Sequence, residues 1–535
     1  MTDNNIMTTS NEDKDMYGAL PGPITAAMLR DFHRSDSSSN NSDGLVRVKE
    51  LLASTGINNG PITEINLHSF SSGGNGCLST KIKTISNIPD CEYKIIGRVH
   101  RVRSQSKIIF LVIRQESNTL QCVYFKKDKT GDSLADLIMS ITKESIVEVC
   151  GTTKIAKPIV KSCTVQELEL EIKSIRIISK SHATLPLQID EHIYLPTKTK
   201  GDDVERESKL VTRLNNRVLD LRKEDNQFIF KMQSAVSKII RDYFDKYGFM
   251  EIHTPKLICA ASEGGSNVFE VNYFNQYAYL AQSPQLYKQM AICGDFPRIY
   301  EIGPVFRAEK SFTHRHLTEF IGIDMEMTFE RHYHEILDIF DNLFVNLFTK
   351  LQEIYGHEID NFFKLFNVEP FEFANPSIRI TFKEAIGLLR QAGIMMTDYE
   401  DFSTEKERIL GKIIKEKYHT DFFMVDQFPT SVRPFYTMPN PENPLYSNSY
   451  DFFIRGEEIL SGAQRISDYE TLIASAKRHD IDTNKISDYL ESFKYGVPLH
   501  GGGGIGLERV VMLYLGLNNI RNVSMFPRDP SRLAP

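Results

Sequence analysis

Gly501-Gly502-Gly503-Gly504-Ile505-Gly506-Leu507-Glu508-Arg509 leads straight into an apolar stretch, 510–515. Glycines ahead of a helix let the backbone approach a ligand closely, and a helix N-terminus favours anions. From the glycines alone, a tight structural turn reads equally well. No Lys-Ser/Thr follows, so this is not a P-loop, and no strand–GxGxxG–helix unit with a later acid surrounds it. A helix over 506–515 places Arg509 one turn in, within reach of whatever the glycines face.

Upstream of that run, 277–281, 298–305 and 317–327 read as strands, and 333–355 and 404–418 as helices. In 228–247, Ile229, Met232, Val236, Ile240 and Phe244 recur at helical spacing and Gly248 closes the helix. Strands and helices alternate without a regular βαβ repeat. The fold expected for 226–535 is therefore α+β around a mainly antiparallel sheet.

Further upstream the pattern changes. Residues 93–103, 107–114, 119–125, 145–151 and 168–178 are short β-branched runs, which suit a small all-β barrel of the OB type over 87–185. Between Asp90 and Lys180 there are 16 Lys/Arg against 11 Asp/Glu, a local +5 inside a chain of net charge −7. A basic barrel with an aromatic such as Phe110 suits single-stranded nucleic acid, although a lysine-rich surface alone would look the same. Residues 186–225, with Pro186 and Pro196, read as a hinge. Residues 1–86, polar and rich in Ser/Asn/Gly clusters, read as a partly disordered arm with a helical patch at 45–52.

Composition bounds the rest. The 41% hydrophobic and 25% charged residues of this 535-residue chain are an ordinary globular balance. Seven scattered cysteines, without a C-x-x-C pair, read as reduced thiols of a cytoplasmic protein. The acidic first thirty residues argue against a secretory or transit signal. The lack of a long apolar run argues against a membrane span.

Three further constellations carry chemistry. Phe306-Arg307-Ala308-Glu309, the loop 310–316 and Thr318-Glu319-Phe320 suggest a hairpin that gathers Arg307, His314, Arg315 and His316 near one point. Grouped cations suit a polyphosphate, although a solvated hairpin tip looks similar. Asp451 and Glu458 flank a turn at Gly456, and two hard oxygen ligands are what Mg²⁺ takes when phosphates complete its shell. Two acids near a turn are also ordinary surface charge. Glu263, Gln285 and Lys288 supply an anion, an amide and a cation, a set that could hold a zwitterion with an extra carboxylate.

Gly248-Phe249-Met250-Glu251-Ile252-His253-Thr254-Pro255 resembles motif 1 of the class II aminoacyl-tRNA synthetases. Residues 306–320 resemble motif 2, and 502–509 resemble motif 3, in family order behind an OB-like module. Within class II, the runs ASEGGS, AQSPQLYKQ, IGPVFRAE, THRHLTEF, SYDFFIRGEEILSGAQRI and GGGIGLERVVM resemble the aspartate-specific, eukaryotic-type subfamily over roughly 90–535.

The resemblance implies roles for individual residues. Glu263 pairs with the α-ammonium of L-aspartate, with Ser283 and Gln285 beside it in the segment that continues through Leu286 and Tyr287. Lys288, steadied by Asp324, and Arg465 clamp the side-chain carboxylate. Arg307, Arg509 and Glu458 are catalytic; Asp451 and Glu458 hold Mg²⁺ on ATP, which Glu458 thereby also binds, with Ser461 nearby. ATP lies against Arg307, Ala308, Glu309, Arg315, His316, Leu317, Phe320, Gly506, Leu507, Glu508 and Arg509, with Phe320 stacked on adenine. In the barrel, Phe110 stacks on an anticodon base of tRNA(Asp), while Gln121 and Glu169 read base edges. Pro255 sits at a homodimer interface.

Lys288 disfavours an asparagine-specific relative, because a neutral amide offers it no charge to meet. A lysine-specific relative would need acids facing the side chain. A dead paralogue would be free to lose Arg307, Asp451, Glu458 or Arg509, and all four are present. One departure is the arm: residues 1–85 hold nine acids and seven bases and no lysine-striped helix, so they should add little to phosphate binding.

Overall fold

The computed structural model of the chain describes residues 78–85, 88–127, 131–189, 210–260 and 267–535. Of the arm read over 1–86, residues 1–77, 86 and 87, with the helical patch at 45–52, lie outside the described residues, as do 190–209 of the hinge and Glu263, whereas Leu78 and Ser79 pair with Tyr93 and Lys94 of the barrel.

Five strands close a barrel: β1 (Glu92–Gln105), β2 (Ile108–Gln115), β3 (Asn118–Phe125), β4 (Ile146–Ile155) and β5 (Leu168–Ser179). They pair in the order β1-β2-β3-β5-β4, and β4 returns to β1 to complete the ring. Period-two alternation explains the strands: Ile109, Leu111 and Ile113 point into the barrel, and the residues between them face outward. Ile82 also enters this core. Helix α1 (Ser133–Ser140), capped by Asp132, plugs one side with Ala135 and Ile138.

One buried carboxylate fastens the barrel to the second module. Glu144 accepts from Arg114 Nη2 at 2.9 Å and from Arg222 Nη1 at 3.0 Å, the latter just ahead of that module in the chain.

The second module centres on an eight-stranded sheet. Its strands are β6 (Met250–Glu251), β7 (Arg298–Phe306), β8 (Glu319–Thr328), β9 (Ile378–Thr381), β10 (Phe422–Asp426), β11 (Ser449–Ile454), β12 (Glu457–Gln464) and β13 (His500–Gly506). They lie in the order β9-β10-β11-β12-β13-β8-β7-β6, antiparallel except where the edges β9 and β6 pair in parallel. Helices α2 (Glu224–Lys246), α4 (His334–Phe366) and α8 (Leu507–Tyr514) pack on one face and make the main core with it. Helix α3 (Gln285–Cys293) precedes β7, α5 (Phe382–Gln391) and α6 (Thr404–Tyr418) follow α4, and α7 (Tyr469–Arg478) lies between β12 and β13 in the chain.

Two expectations are corrected. Helix α4 does not stop near Tyr355: Ile359, Phe362 and Phe363 continue its buried stripe, and the helix ends at Asn367 with φ of 50°. The glycine run is neither a turn nor a loop ahead of a helix. Gly501 to Gly504 lie within β13, between β12 and β8. A Cβ on Gly502 would sit 2.0 Å from the Met325 carbonyl oxygen, and one on Gly501 2.6 Å from that of Ala463. These glycines serve strand packing, and only Gly504 and Gly506 reach the cavity described below.

Candidate active site

A cavity of about 400 Å³ opens over the face of β8, β12 and β13 opposite the helices. Of the residues singled out from sequence, Ser283, Gln285, Arg307, Glu309, Arg315, His316, Leu317, Phe320, Asp324, Glu458, Ser461, Arg465, Gly506, Glu508 and Arg509 line it. Lys288 and Asp451 lie behind that wall, and Ala308 and Leu507 are not part of it. Leu286 packs instead against a neighbouring cluster around Tyr489 and Leu490, and Tyr287 does not reach the cavity.

The floor is a buried network of two cations and two anions. Lys288, on α3, places Nζ 2.9 Å from Asp324 Oδ1 and 3.4 Å from Glu326 Oε2. Arg465 donates from Nε and Nη2 to Glu326 at 2.8 and 3.1 Å, and from Nη2 to Gln285 Oε1 at 3.1 Å. Burial pushes the Glu326 carboxyl up, but Arg465 and Lys288 outweigh it and hold the group below the usual range. Sequence reading missed Glu326, which joins both cations.

The opposite wall comes from the hairpin of β7 and β8 and from α8. Arg307 approaches the Phe320 ring, with its guanidinium carbon 5.5 Å from the centroid. Arg509 Nη1 donates to the Glu458 carbonyl at 3.0 Å. Arg307, Arg315 and His316 share the cavity; Arg315 is held by Glu407 at 2.8 Å, and His314 lies 3.1 Å from Glu457. Burial, reinforced by Arg509, pushes His316 down to about 4, so its ring is neutral near pH 7. Burial also raises Glu508 to about 7, while its carboxylate accepts from the Ile321 amide at 3.1 Å.

Asp451 and Glu458 flank a turn in which Arg455 and Gly456 have φ of 50° and 74°, the geometry of a tight two-residue hairpin. Sequence reading missed the cation between the acids' neighbours. Arg433 donates from Nη2 to Asp451 Oδ2 and from Nη1 to Ser461 Oγ, both at 2.8 Å, and its guanidinium lies over the Phe428 ring at 4.0 Å. Arg433 is the one arginine between Arg408 and Arg455, and no spacing marked it. Burial, and then Glu458, push the Asp451 carboxyl up to about 7 against the pull of Arg433. Its Oδ1 is buried and takes no hydrogen bond among the described residues. Buried hard oxygens of this kind fit Mg²⁺. Among the described residues no three of His, Cys, Asp or Glu cluster for a metal, so a ligand's oxygens would have to complete the shell.

Residues 209–530 match the family model for tRNA synthetases class II (D, K and N), and 93–178 match that for the OB-fold nucleic acid binding domain. The chain belongs to the class II tRNA synthetases. This synthetase is 51% identical to the cytoplasmic aspartate–tRNA ligase of Mus musculus over 439 residues, 82% of this chain and 87% of that one. The aspartyl-tRNA synthetase structure from Entamoeba histolytica is 40% identical, with a TM-score of 0.77 over 86% of this chain and 93% of that one. The asparaginyl-tRNA synthetase of Pyrococcus horikoshii, complexed with asparaginyl-adenylate, is 29% identical with a TM-score of 0.72, over 84% and 97%. The fold is thus common to enzymes named for both amino acids, and the choice between them falls to side chains.

In the synthetase's barrel, strand register puts Phe110 and Gln121 on one face. Arg103 lies over the Phe110 ring at 4.7 Å, and Gln121, nearly buried, donates to Glu169 at 3.0 Å. Pro255 is exposed, with Met250, Leu257 and Tyr277 exposed on the elements around it. Among the described residues no helix is long and apolar enough to cross a membrane.

Proposed function

We propose that the synthetase is an aspartate–tRNA ligase, which activates L-aspartate with ATP and transfers it to the 3′ end of tRNA(Asp). The observation that carries this reading is the pair of buried cations beneath the cavity, Lys288 and Arg465, beside Gln285 and Ser283. Asp324 and Glu326 balance the charge of this pair, and what favours a carboxylate over a carboxamide is donor count: the cations present only N–H donors, which two carboxylate oxygens accept and an amide NH₂ cannot. The name shared by the mouse and Entamoeba relatives supports the same choice.

In the first step a carboxylate oxygen of aspartate attacks the α-phosphorus of ATP in line. The bond to the bridging oxygen breaks, and pyrophosphate leaves with the electron pair. The carboxylate is already ionised near neutrality, so no general base is needed. Catalysis is then positioning and charge stabilisation. Arg307 holds the α-carboxylate and α-phosphate together, Arg509 and Phe320 enclose the adenine, and neutral His316 adds hydrogen bonding without charge. Glu263 pairs with the α-ammonium. Asp451 and Glu458 would hold Mg²⁺, which neutralises charge on the ATP phosphates when bound. In the second step the terminal adenosine 3′-hydroxyl attacks the adenylate carbonyl and AMP leaves.

Phe110, Gln121 and Glu169 contact the anticodon, as side chains usually do with unstacked loop bases. The exposed apolar patch around Pro255 supports a homodimer, and the names of the relatives support a cytoplasmic enzyme. ATP–pyrophosphate exchange with aspartate, asparagine and lysine in turn tests the reading. Exchange with aspartate alone is expected, and exchange with asparagine instead would sink it.

A further inference from the structure

Behind the cavity, a chain of buried polar side chains runs from the backbone to Arg465, and each of its donors can be assigned. His500, at the start of β13, is fully buried, and its Nδ1 lies 2.9 Å from the Pro498 carbonyl oxygen. A carbonyl only accepts, so Nδ1 carries the hydrogen. Burial holds the imidazole below its ordinary pKa, which leaves the ring neutral and Nε2 an acceptor. Gln289 Nε2, 3.1 Å away, therefore donates to it. The Gln289 Oε1 is then the acceptor for Gln285 Nε2 at 3.2 Å and for the Tyr489 hydroxyl at 2.9 Å.

Gln285 has one orientation left. With Nε2 spent on Gln289, its Oε1 faces Arg465 and accepts from Nη2. Reversing any amide in the chain would set donor against donor or acceptor against acceptor inside the protein. Arg465 also gives Nε and Nη2 to Glu326, so one side of the guanidinium is fully engaged by two residues. Among the described residues its Nη1 has no hydrogen-bond partner, while Arg465 lines the cavity.

We infer that Gln289 and His500 are positioning residues for amino-acid selection, acting through Gln285 to aim the two Nη1 donors of Arg465 at the substrate side chain. A carboxylate meets two donors with two acceptor oxygens. A carboxamide offers one oxygen and sets its own amino group against the second donor. Selection thus depends on a hydrogen bond that begins at the Pro498 carbonyl, which touches no substrate. This rests on the aspartate reading of the cavity.

The test is Gln289→Met, which keeps length and bulk and removes both hydrogen-bonding atoms. In ATP–pyrophosphate exchange the KM for aspartate should rise about tenfold, with the KM for ATP within twofold of the original. The aspartate-over-asparagine ratio of kcat/KM should fall by a similar factor. Tyr489→Phe removes a donor without altering the direction of the chain and should change each value less than threefold. If the aspartate KM does not move, or both KM values rise together, the inference is overturned while exchange by the unaltered enzyme keeps the proposed function standing. Lack of exchange with aspartate by the unaltered enzyme would overturn that function itself. An independent measurement needs no variant: ¹⁵N-histidine spectra of the whole protein should show His500 neutral and protonated on Nδ1. The opposite tautomer or an imidazolium would equally overturn the ordering.

Discussion

Arg315, in the loop between β7 and β8, forms a 2.8 Å ion pair with Glu407 on α6, so a helix from outside the hairpin sets where this cavity-lining cation sits. Burial raises the Glu407 carboxyl to about 7, and Arg315 only partly offsets it. The folded state therefore binds a proton that the unfolded state, near its ordinary 4.5, has released. Stability from this group falls as pH rises from that value through about 7. Glu407→Gln should lose less melting temperature between pH 5 and 8 than the unaltered enzyme. Its KM for ATP should rise several-fold at pH 8, because Arg315 is no longer held.

Lys288→Met should cost more than a contact. Asp324 and Glu326 would be left with one cation between them, and breaking a buried pair typically costs about 3–5 kcal/mol. Thermal unfolding should show that loss, and aspartate-dependent exchange should fall below detection. Adding Asp324→Asn should restore much of the stability without restoring exchange, which separates the structural role of the charge from its substrate role.

Arg433→Lys keeps the charge but loses the fork that spans Asp451 and Ser461. The Mg²⁺ concentration for half-maximal exchange should rise several-fold, while the KM for aspartate stays within twofold. Titrating Mg²⁺ at saturating ATP, and aspartate at saturating Mg²⁺, measures both.

Gly502→Ala should destabilise by about 3 kcal/mol or more, since its Cβ would lie 2.0 Å from a backbone oxygen in the middle of the sheet. Gly506→Ala meets nothing nearer than the Arg509 side chain at 3.6 Å and should cost under about 1 kcal/mol. Urea unfolding of the two variants compares them directly.

Phe110→Ala should weaken tRNA binding by about 1–3 kcal/mol if one base stacks on the ring. Exchange without tRNA should be unchanged. Equal loss in both assays would place Phe110 in barrel stability instead.

Much of the fold was legible because alternation carries it. The five barrel runs, read from β-branched residues, fall within two residues of the strands except where β4 continues to Ile155. The glycine run was misread because a strand squeezed between close neighbours and a loop before a helix make the same demand on composition. Most of the site was legible through motif resemblance. Glu326 and Arg433 were not, because the partners of Glu326 lie 38 and 139 residues away and those of Arg433 18 and 28, and nothing local distinguishes them from other charges. The partners of Arg315 and His314 were not legible either, because Glu407 and Glu457 arrive from α6 and β12.

Strand β13 is the last of the sheet to be made, yet it lies at the centre, between β12 and β8. Without it the sheet divides into β6, β7 and β8 on one side and β9, β10, β11 and β12 on the other, and in the fold only β13 pairs with both β8 and β12. A growing or truncated chain that lacks residues 500–509 therefore has no shared floor between its two halves. It also lacks the Arg509 side of the cavity. Incomplete copies of this enzyme should be unable to retain ATP or to compete for tRNA at the active site, and their open edges should expose them to chaperones and proteases, so a finished sheet is itself the licence to work.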